Sequence, residues 1–215
     1  RKNLEINEGQ KLQELATLPA AVGVGINTSG RTVKYDNFKT NPDVEVDGTN
    51  FDYLRTLDLK IEEGRNYTQA DDENSKFVAV IGTDIVDKLF KSINPIGQII
   101  KVDHFNFEVI GIFEKQGSIF GQSQDNFVAM PISTFERCFG TERSAHFVVM
   151  ARNEQMIDET KDEIIGVLRK IRKVSPTEPN DFEIVTNDQL IEQFNDLTKY
   201  VKLGAAVIAF IAIIA

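Results

Sequence analysis

The residues that could carry out chemistry are few in this sequence and lie far apart. It has two histidines, His104 in a turn and His146 beside a strand, and one cysteine, Cys138. Neither histidine has a cysteine or carboxylate at the spacing that metal ligands require. The sequence therefore predicts no metal site, and the single cysteine excludes a disulfide within the chain.

Motifs for catalysis are equally scarce. The sequence has neither a GxSxG nucleophile elbow nor a GxxxxGK[ST] phosphate loop. The acidic run Asp71 to Glu73 could attract a cation, but such runs are usually solvated turns. We therefore predict that the chain is not an enzyme, with no catalytic, cofactor-binding or metal-binding residues and no cofactor.

Composition limits the partners of this chain. It has 215 residues, of which 41% are hydrophobic, and a formal net charge of -9. This is enough apolar material for a folded core. The negative charge argues against nucleic acid, because neutralising phosphates requires a surplus of lysine and arginine.

The final stretch of the sequence is apolar throughout. Residues 203–215 read LGAAVIAFIAIIA and contain no charged side chain. As a helix they would extend about 20 Å, short of the ~30 Å of hydrocarbon in a bilayer. We interpret them as the start of a transmembrane helix; the alternative is a buried C-terminal core helix.

An amphipathic pattern leads into this tail. Its apolar positions recur at helical spacing and are Leu190, Phe194, Leu197 and Val201. Thr186 or Asn187 would cap the helix, which predicts a stalk helix over residues 187–202.

The preceding elements alternate between helices and strands. We predict a helix over residues 8–17, capped by Asn7 with Gln10, and a buried strand over residues 77–81. Residues 99–102 and 107–113 are expected to pair as a hairpin. We predict a strand, helix, strand unit, with strands over residues 147–151 and 182–185 and a long helix capped by Asn153 between them.

The long helix is expected to face the core through Ile157, Ile164, Leu168 and Ile171. The polar loop from Gly117 to Asp125 is the candidate contact surface, because exposed loops adapt to partners.

Four segments together resemble the periplasmic core domain of MacB/FtsX-type ABC transporter permeases. They are Ile61 to Gly82 (IEEGRNYTQADDENSKFVAVIG), Leu89 to Val102 (LFKSINPIGQIIKV), Phe107 to Gly117 (FEVIGIFEKQG) and Asp125 to Pro131 (DNFVAMP). Their order and spacing agree with the family as well. The similarity extends from about Leu4 to the apolar tail, which would begin the second transmembrane helix.

The resemblance implies an α+β fold with two subdomains. Residues 1–63 with 132–186 would form a porter-like mixed α/β subdomain, and residues 64–131 a smaller β-rich one. We predict that no continuous sheet runs through both regions. A stalk helix over residues 187–202 would then enter a transmembrane segment over residues 203–215.

The resemblance also implies a function and partners. The domain would lie outside the cytoplasm, at the bacterial inner membrane, and transmit ATP-driven motion to a substrate or a periplasmic partner. The partners would be a cytoplasmic ABC ATPase domain, a second permease copy, a periplasmic adaptor or lipoprotein, and the membrane. The alternatives are a single-span membrane-anchored binding or sensor module, and third an anchored enzyme. The sequence does not choose among efflux, lipoprotein release and regulation of cell-wall hydrolases.

Overall fold

The structure is a computed structural model that describes residues 2–91, 93–119 and 121–189, together with residues 191, 195, 198 and 199. Contacts divide the chain into two compact units, residues 2–178 and the residues from Pro179 onward. In the second unit, residues 187–189 are helical, as are the four separate residues that follow. All the elements numbered below lie in the first unit.

Residues 2–178 contain both helices and strands. The helices are α1 (Ile6–Leu15), α2 (Tyr53–Thr56), α3 (Gln69–Glu73), α4 (Thr83–Leu89), α5 (Ile132–Phe139) and α6 (Ile157–Ile171). The strands are β1 (Ala21–Arg31), β2 (Val33–Tyr35), β3 (Phe38–Lys39), β4 (Val44–Thr49), β5 (Ile61–Gly64), β6 (Val78–Ile81), β7 (Ile99–Val102), β8 (Phe105–Phe113), β9 (Ser118–Ile119), β10 (Gln122–Ser123), β11 (Phe127–Pro131) and β12 (His146–Met150).

Ten strands form one mixed sheet, ordered β12-β1-β4-β11-β6-β8-β7-β2-β3, with β5 on β8. β1 leads into β2 through Thr32 alone, yet the two strands pair at opposite ends of this order. Arg31 is opposite Val44 of β4, and Val33 is opposite Val102 of β7. The order of strands is therefore closed on itself, because one extended segment, residues 21–35, contributes β1 near one end of the order and β2 near the other.

The apolar alternation of the strands fills both faces of the sheet. All four residues of β6 are buried, which confirms the predicted buried strand. On one face the core is a cluster formed by Leu54, Tyr67, Val78, Val80, Ile110, Phe113 and Ala129. β7 and β8 pair antiparallel from Val102 opposite Phe105, which confirms the predicted hairpin.

The helices at the two ends of this unit were predicted in type but not in every detail. α1 begins two residues earlier than expected, because the capping box is formed by Glu5 and Glu8 rather than by Asn7 and Gln10. On α6, Ile164 and Leu168 are buried as predicted, whereas Ile157 is exposed at the first helical turn.

Two predictions about the sheet are wrong. Residues 182–185 form no strand, because a short apolar run indicates an extended backbone without specifying a partner edge. The strands of the two predicted subdomains also share one sheet, because β11 pairs with β4 and β7 pairs with β2. The subdomain boundaries at residues 63, 131 and 186 stay predictions.

Candidate functional site

A cleft of about 620 Å³ opens beside β4, at the face that carries the apolar cluster. The β9–β10 hairpin lies within the loop predicted as a contact surface and lines the cleft with Ile119, Gln122 and Ser123. Asp125 holds the base of this hairpin, because its buried carboxylate accepts hydrogen bonds from the backbone N–H groups of Gln116 and Gly117, both at 2.8 Å. The other walls come from β1, β4, α2, β11 and the start of β12.

Glycines on β1 make room for the side chains at one end of the cleft. A Cβ atom on Gly25 would lie 2.5 Å from Nε2 of His146 and 2.9 Å from the Tyr53 ring, and a Cβ on Gly23 would lie 2.9 Å from Cα of Tyr53. Such distances exclude any larger residue unless its neighbours shift. The alternation of glycine with buried valine in β1 therefore allows α2 to approach the sheet closely.

Tyr53 and His146 form a polar pair at this end. The tyrosine hydroxyl and Nε2 of the imidazole are 2.7 Å apart, and the rings meet edge to face. Burial lowers the pKa of His146, although the negative charge of Glu45 opposes this change. Burial also raises the pKa of Tyr53, so both groups are neutral at pH 7 and share one hydrogen bond.

Glu45 and Asp47 bring two carboxylates into the cleft from alternate positions of β4. Glu45 accepts a short hydrogen bond from the side-chain amide of Asn27 on β1. Within the described residues, the Asp47 carboxyl has no hydrogen-bond or ion-pair partner. Burial, and secondarily the charge of Glu45, raises the pKa of Asp47 from 3.8 to about 8.

The predicted acidic turn behaves differently from a solvated run, and this corrects the expectation. Asp71 is 2% exposed and lies in helix α3, where it closes a capping box with Thr68. Its carboxylate forms ion pairs with the Arg65 guanidinium, from Nη1 to Oδ2 at 2.8 Å, and with the Lys76 ammonium, from Nζ to Oδ1 at 2.7 Å. Asp71 therefore serves the fold, because both of its oxygens are occupied by protein groups.

The remaining candidate residues do not assemble a chemical site. His104 is exposed in the turn between β7 and β8, and burial raises the pKa of the Cys138 thiol to about 11, which keeps it unreactive. Among the described residues, no group of three or more His, Cys, Asp or Glu side chains could hold a metal ion.

A second feature joins the beginning and the end of this unit. Arg172, directly after α6, forms an ion pair with Glu8 of α1, and its side chain is only 1% exposed. The same guanidinium donates to the backbone carbonyls of Lys2 and Asn3 at 3.1 and 3.3 Å. Glu163 of α6 accepts hydrogen bonds from the backbone N–H groups of Thr17 and Leu18, both at 2.9 Å. The α6 region is therefore attached near the start of α1 through Arg172 and just after its end through Glu163.

Solved structures share this fold. The periplasmic region of MacB from Actinobacillus actinomycetemcomitans superposes with a TM-score of 0.74 at 19% identity, covering 91% of this chain and 84% of that one. The extracellular domain of the noncanonic ABC-type transporter YknZ from Gram-positive bacteria gives a TM-score of 0.67 at 22% identity, covering 80% and 86%. The chain therefore shares the mixed α/β fold of these two domains.

Sequence relatives and the family description agree with this likeness. A pyoverdine export ATP-binding/permease protein of Pseudomonas aeruginosa is 29% identical over 89% of this chain, and a macrolide export ATP-binding/permease protein of Bdellovibrio bacteriovorus is 28% identical over 70%. The chain spans about a quarter of each relative, 28% and 24% respectively. Residues 2–167 match the MacB-like periplasmic core domain, and the chain belongs to that family, which confirms the resemblance.

The predicted membrane elements are not tested. The residues that would form the contact face of the stalk, Leu190, Phe194, Leu197 and Val201, lie outside the described residues, as does the apolar tail 203–215. Within the part of the chain that is described, no helix has the length and apolarity needed to cross a membrane.

Proposed function

We propose that this chain is the extracytoplasmic domain of an ABC transporter permease that works in export. It transmits motion, driven by ATP hydrolysis in a cytoplasmic domain, to a substrate or a partner in the periplasm. The observation that carries the proposal is the match of residues 2–167 to the MacB-like periplasmic core domain. The two relatives described above are export ATP-binding/permease proteins, and this supports export.

The Arg172 contacts supply a physical reason for transmission of motion. The residues that enter the unit at Lys2 and Asn3 and the residues that leave it after α6 are held by one buried guanidinium. A displacement of either chain end therefore acts on both α1 and α6. Buried charge-assisted hydrogen bonds of this kind are stiff and costly to break.

The remaining partners follow from the same proposal. The membrane is reached through residues 187–215, the ATPase domain lies on the cytoplasmic side of the inner membrane, and a second permease copy completes the transporter. A periplasmic adaptor or a lipoprotein is the further partner. The chain itself has no catalytic role in this scheme.

The proposal is tested in the whole protein, with its membrane segments and ATP-binding domain in place. Arg172→Gln is expected to reduce export several-fold while ATP hydrolysis continues, because the two chain ends no longer move together. Lys170→Gln is the matched control, since Lys170 is exposed in the last turn of α6, two residues before Arg172. A melting curve of each variant separates loss of coupling from loss of folding, and Glu8→Gln breaks the same ion pair from the other side.

Two results would contradict the proposal. Export that is unchanged in both Arg172→Gln and Glu8→Gln would show that the ion pair does not transmit motion. A full-length protein without ATP-dependent export of any compound would remove the transporter function as a whole.

A further inference from the structure

We propose that the cleft beneath the β9–β10 hairpin is a binding site for an organic cation, an ammonium group carried on an apolar body. The inference concerns binding by this domain, and it does not depend on whether the whole protein is an exporter. It follows from the charge, the partners and the shape of the residues that line the cleft.

The charge of the lining has one sign. Glu45 and Asp47 lie two positions apart on β4, and no described residue of the cleft lining is a lysine or an arginine. The other polar groups there are amides, hydroxyls and one imidazole, and the amides include the neutral side chains of Gln116, Gln124 and Asn126. An anion would meet two carboxylates without any compensating charge, so the electrostatics select a cation.

The Asp47 carboxyl is the unpaired group. Glu45 is held by Asn27, but no described residue donates a hydrogen bond to Asp47. Asp47 is partly buried, and a carboxylate withdrawn from water in this way without a partner costs free energy. Asp71 illustrates the usual arrangement, with both oxygens engaged by cations. An ammonium group in the cleft would give Asp47 the partner that the protein does not supply.

Part of the cleft lining is apolar. It is formed by Leu54, Leu57, Leu59, Ile119 and Phe127, of which Leu57 and Ile119 are 43% and 57% exposed. The volume of about 620 Å³ lies in the range that organic ligands fill. A bare metal ion would use neither the apolar lining nor the volume, and the described side chains form no metal cluster. The ligand therefore combines one positive charge with apolar surface.

Binding of such a cation is coupled to protons. The ionisable groups facing Asp47 are Glu45 on the same strand, Tyr53 on α2, Tyr67 after β5 and His146 on β12. Because the pKa of Asp47 is about 8 in the empty cleft, its carboxyl is mostly protonated at pH 7 and must lose the proton to pair with an ammonium. Affinity is expected to rise from pH 6 to pH 8. Charging of His146 at lower pH acts in the same direction.

The test is an NMR titration of the full isotope-labelled chain with phenylbutylamine at pH 8. Saturable shifts are expected at cleft residues such as Asn27, Gln116 and Asn126. Phenylbutanol, which has the same apolar body without the charge, is the matched ligand control and is expected to bind at least about tenfold more weakly. Equal binding of amine and alcohol would overturn the proposal, as would shifts that lie elsewhere on the domain.

Variants locate the charge recognition. Asp47→Asn and Glu45→Gln are each expected to weaken the amine about tenfold, which corresponds to the loss of one charge-assisted contact. Glu108→Gln removes the same charge from an exposed position of β8 outside the cleft and is expected to leave affinity unchanged. A loss of affinity in Glu108→Gln equal to that in Asp47→Asn would mean nonspecific attraction and would overturn the site.

A leucine–lysine–leucine peptide with blocked ends serves as the second probe. If it competes with phenylbutylamine and binds more tightly, the natural cation is a lysine side chain of a peptide. If it binds more weakly while the amine saturates the cleft, the ligand is a free amine. Both results uphold the cation site, whereas failure of both probes to bind overturns it.

Discussion

Asp71 is buried and Asp47 is partly buried in the same domain, and the surroundings of these two carboxyl groups shift their pKa values in opposite directions. Burial opposes ionisation of Asp71, but hydrogen bonds from Arg65, Lys76 and Thr68 outweigh it and hold the pKa of this carboxyl well below its usual range. Asp47 has no such hydrogen-bond partners, and burial, with a smaller contribution from the charge of Glu45, raises its pKa to about 8. A paired carboxylate stabilises the fold, whereas an unpaired one destabilises it and is available to a ligand.

The two carboxyl groups also differ in how far apart in sequence their neighbours lie. The Asp71 network connects residues only 3 to 6 positions apart in sequence and fastens a short helix. The Asp47 surroundings are assembled from β1, α2, the β9–β10 hairpin and β12. A local network of this kind forms wherever the segment folds, but the cleft exists only when the whole sheet has closed.

The largest effect is expected from Asp71→Ala. The variant removes a capping box and four hydrogen bonds to one carboxylate, and we expect the free energy of unfolding to fall by about 2–4 kcal/mol. The ion pairs themselves contribute a minor part, because Arg65 and Lys76 are each 52% exposed. Denaturant melts at pH 7 measure the change. Glu73→Ala, at an exposed position of the same helix, is the control and should change stability by less than about 0.5 kcal/mol.

The pH dependence of this variant has a definite sign. The pKa of Asp71 in the folded state lies below its ordinary value of 3.8. The ionised carboxylate therefore contributes fully to the free energy of unfolding above pH 3.8, and this contribution is lost as the pH falls further. The difference between wild type and Asp71→Ala should therefore shrink below about pH 4. A difference that grows on acidification would contradict the paired-carboxylate interpretation.

Asp47→Asn is expected to have a smaller effect of the opposite direction. The folded pKa is raised, so the carboxyl destabilises the fold increasingly as the pH rises from 3.8 towards about 8. The amide keeps the shape of the side chain without the charge, and we expect it to stabilise the domain by on the order of 1–2 kcal/mol at pH 8. The full linkage value is reduced because the cleft admits solvent. No difference is expected at pH 4, and a lower melting temperature at pH 8 would show that Asp47 is paired after all.

Local patterns in the sequence were sufficient for the elements but not for the cleft. The apolar run of β6, the β7–β8 hairpin and the buried positions Ile164 and Leu168 of α6 were all predictable, because each depends on residues close together in the chain. The passage of residues 21–35 from β4 to β7 was not, since two strands separated by one residue carry no signal of their partners. This passage unites the predicted subdomains in one sheet.

The candidate site was missed for a related reason. Glu45 and Asp47 alternate with Val44 and Val46, a pattern that normally places carboxylates in solvent. A hairpin about 70 residues later in the chain encloses that face, and nothing in β4 indicates it. The glycines at alternate positions of β1 were the available signal, because glycine in a strand often marks the close approach of another element.

The smallest effect, and the sharpest on the cleft itself, is expected from Glu45→Gln. The Glu45 charge raises the pKa of Asp47 and also that of His146, so its removal should lower both pKa values, each by less than about 1 pH unit. The signs coincide although one group is an acid and the other a base, because a negative neighbour favours the protonated form of both. NMR titration of the Asp47 carboxyl carbon and the His146 ring measures the two values in one sample. Glu108→Gln is again the control, and opposite changes at Asp47 and His146 would mean that Glu45 acts through a rearrangement of Asn27 rather than through its charge.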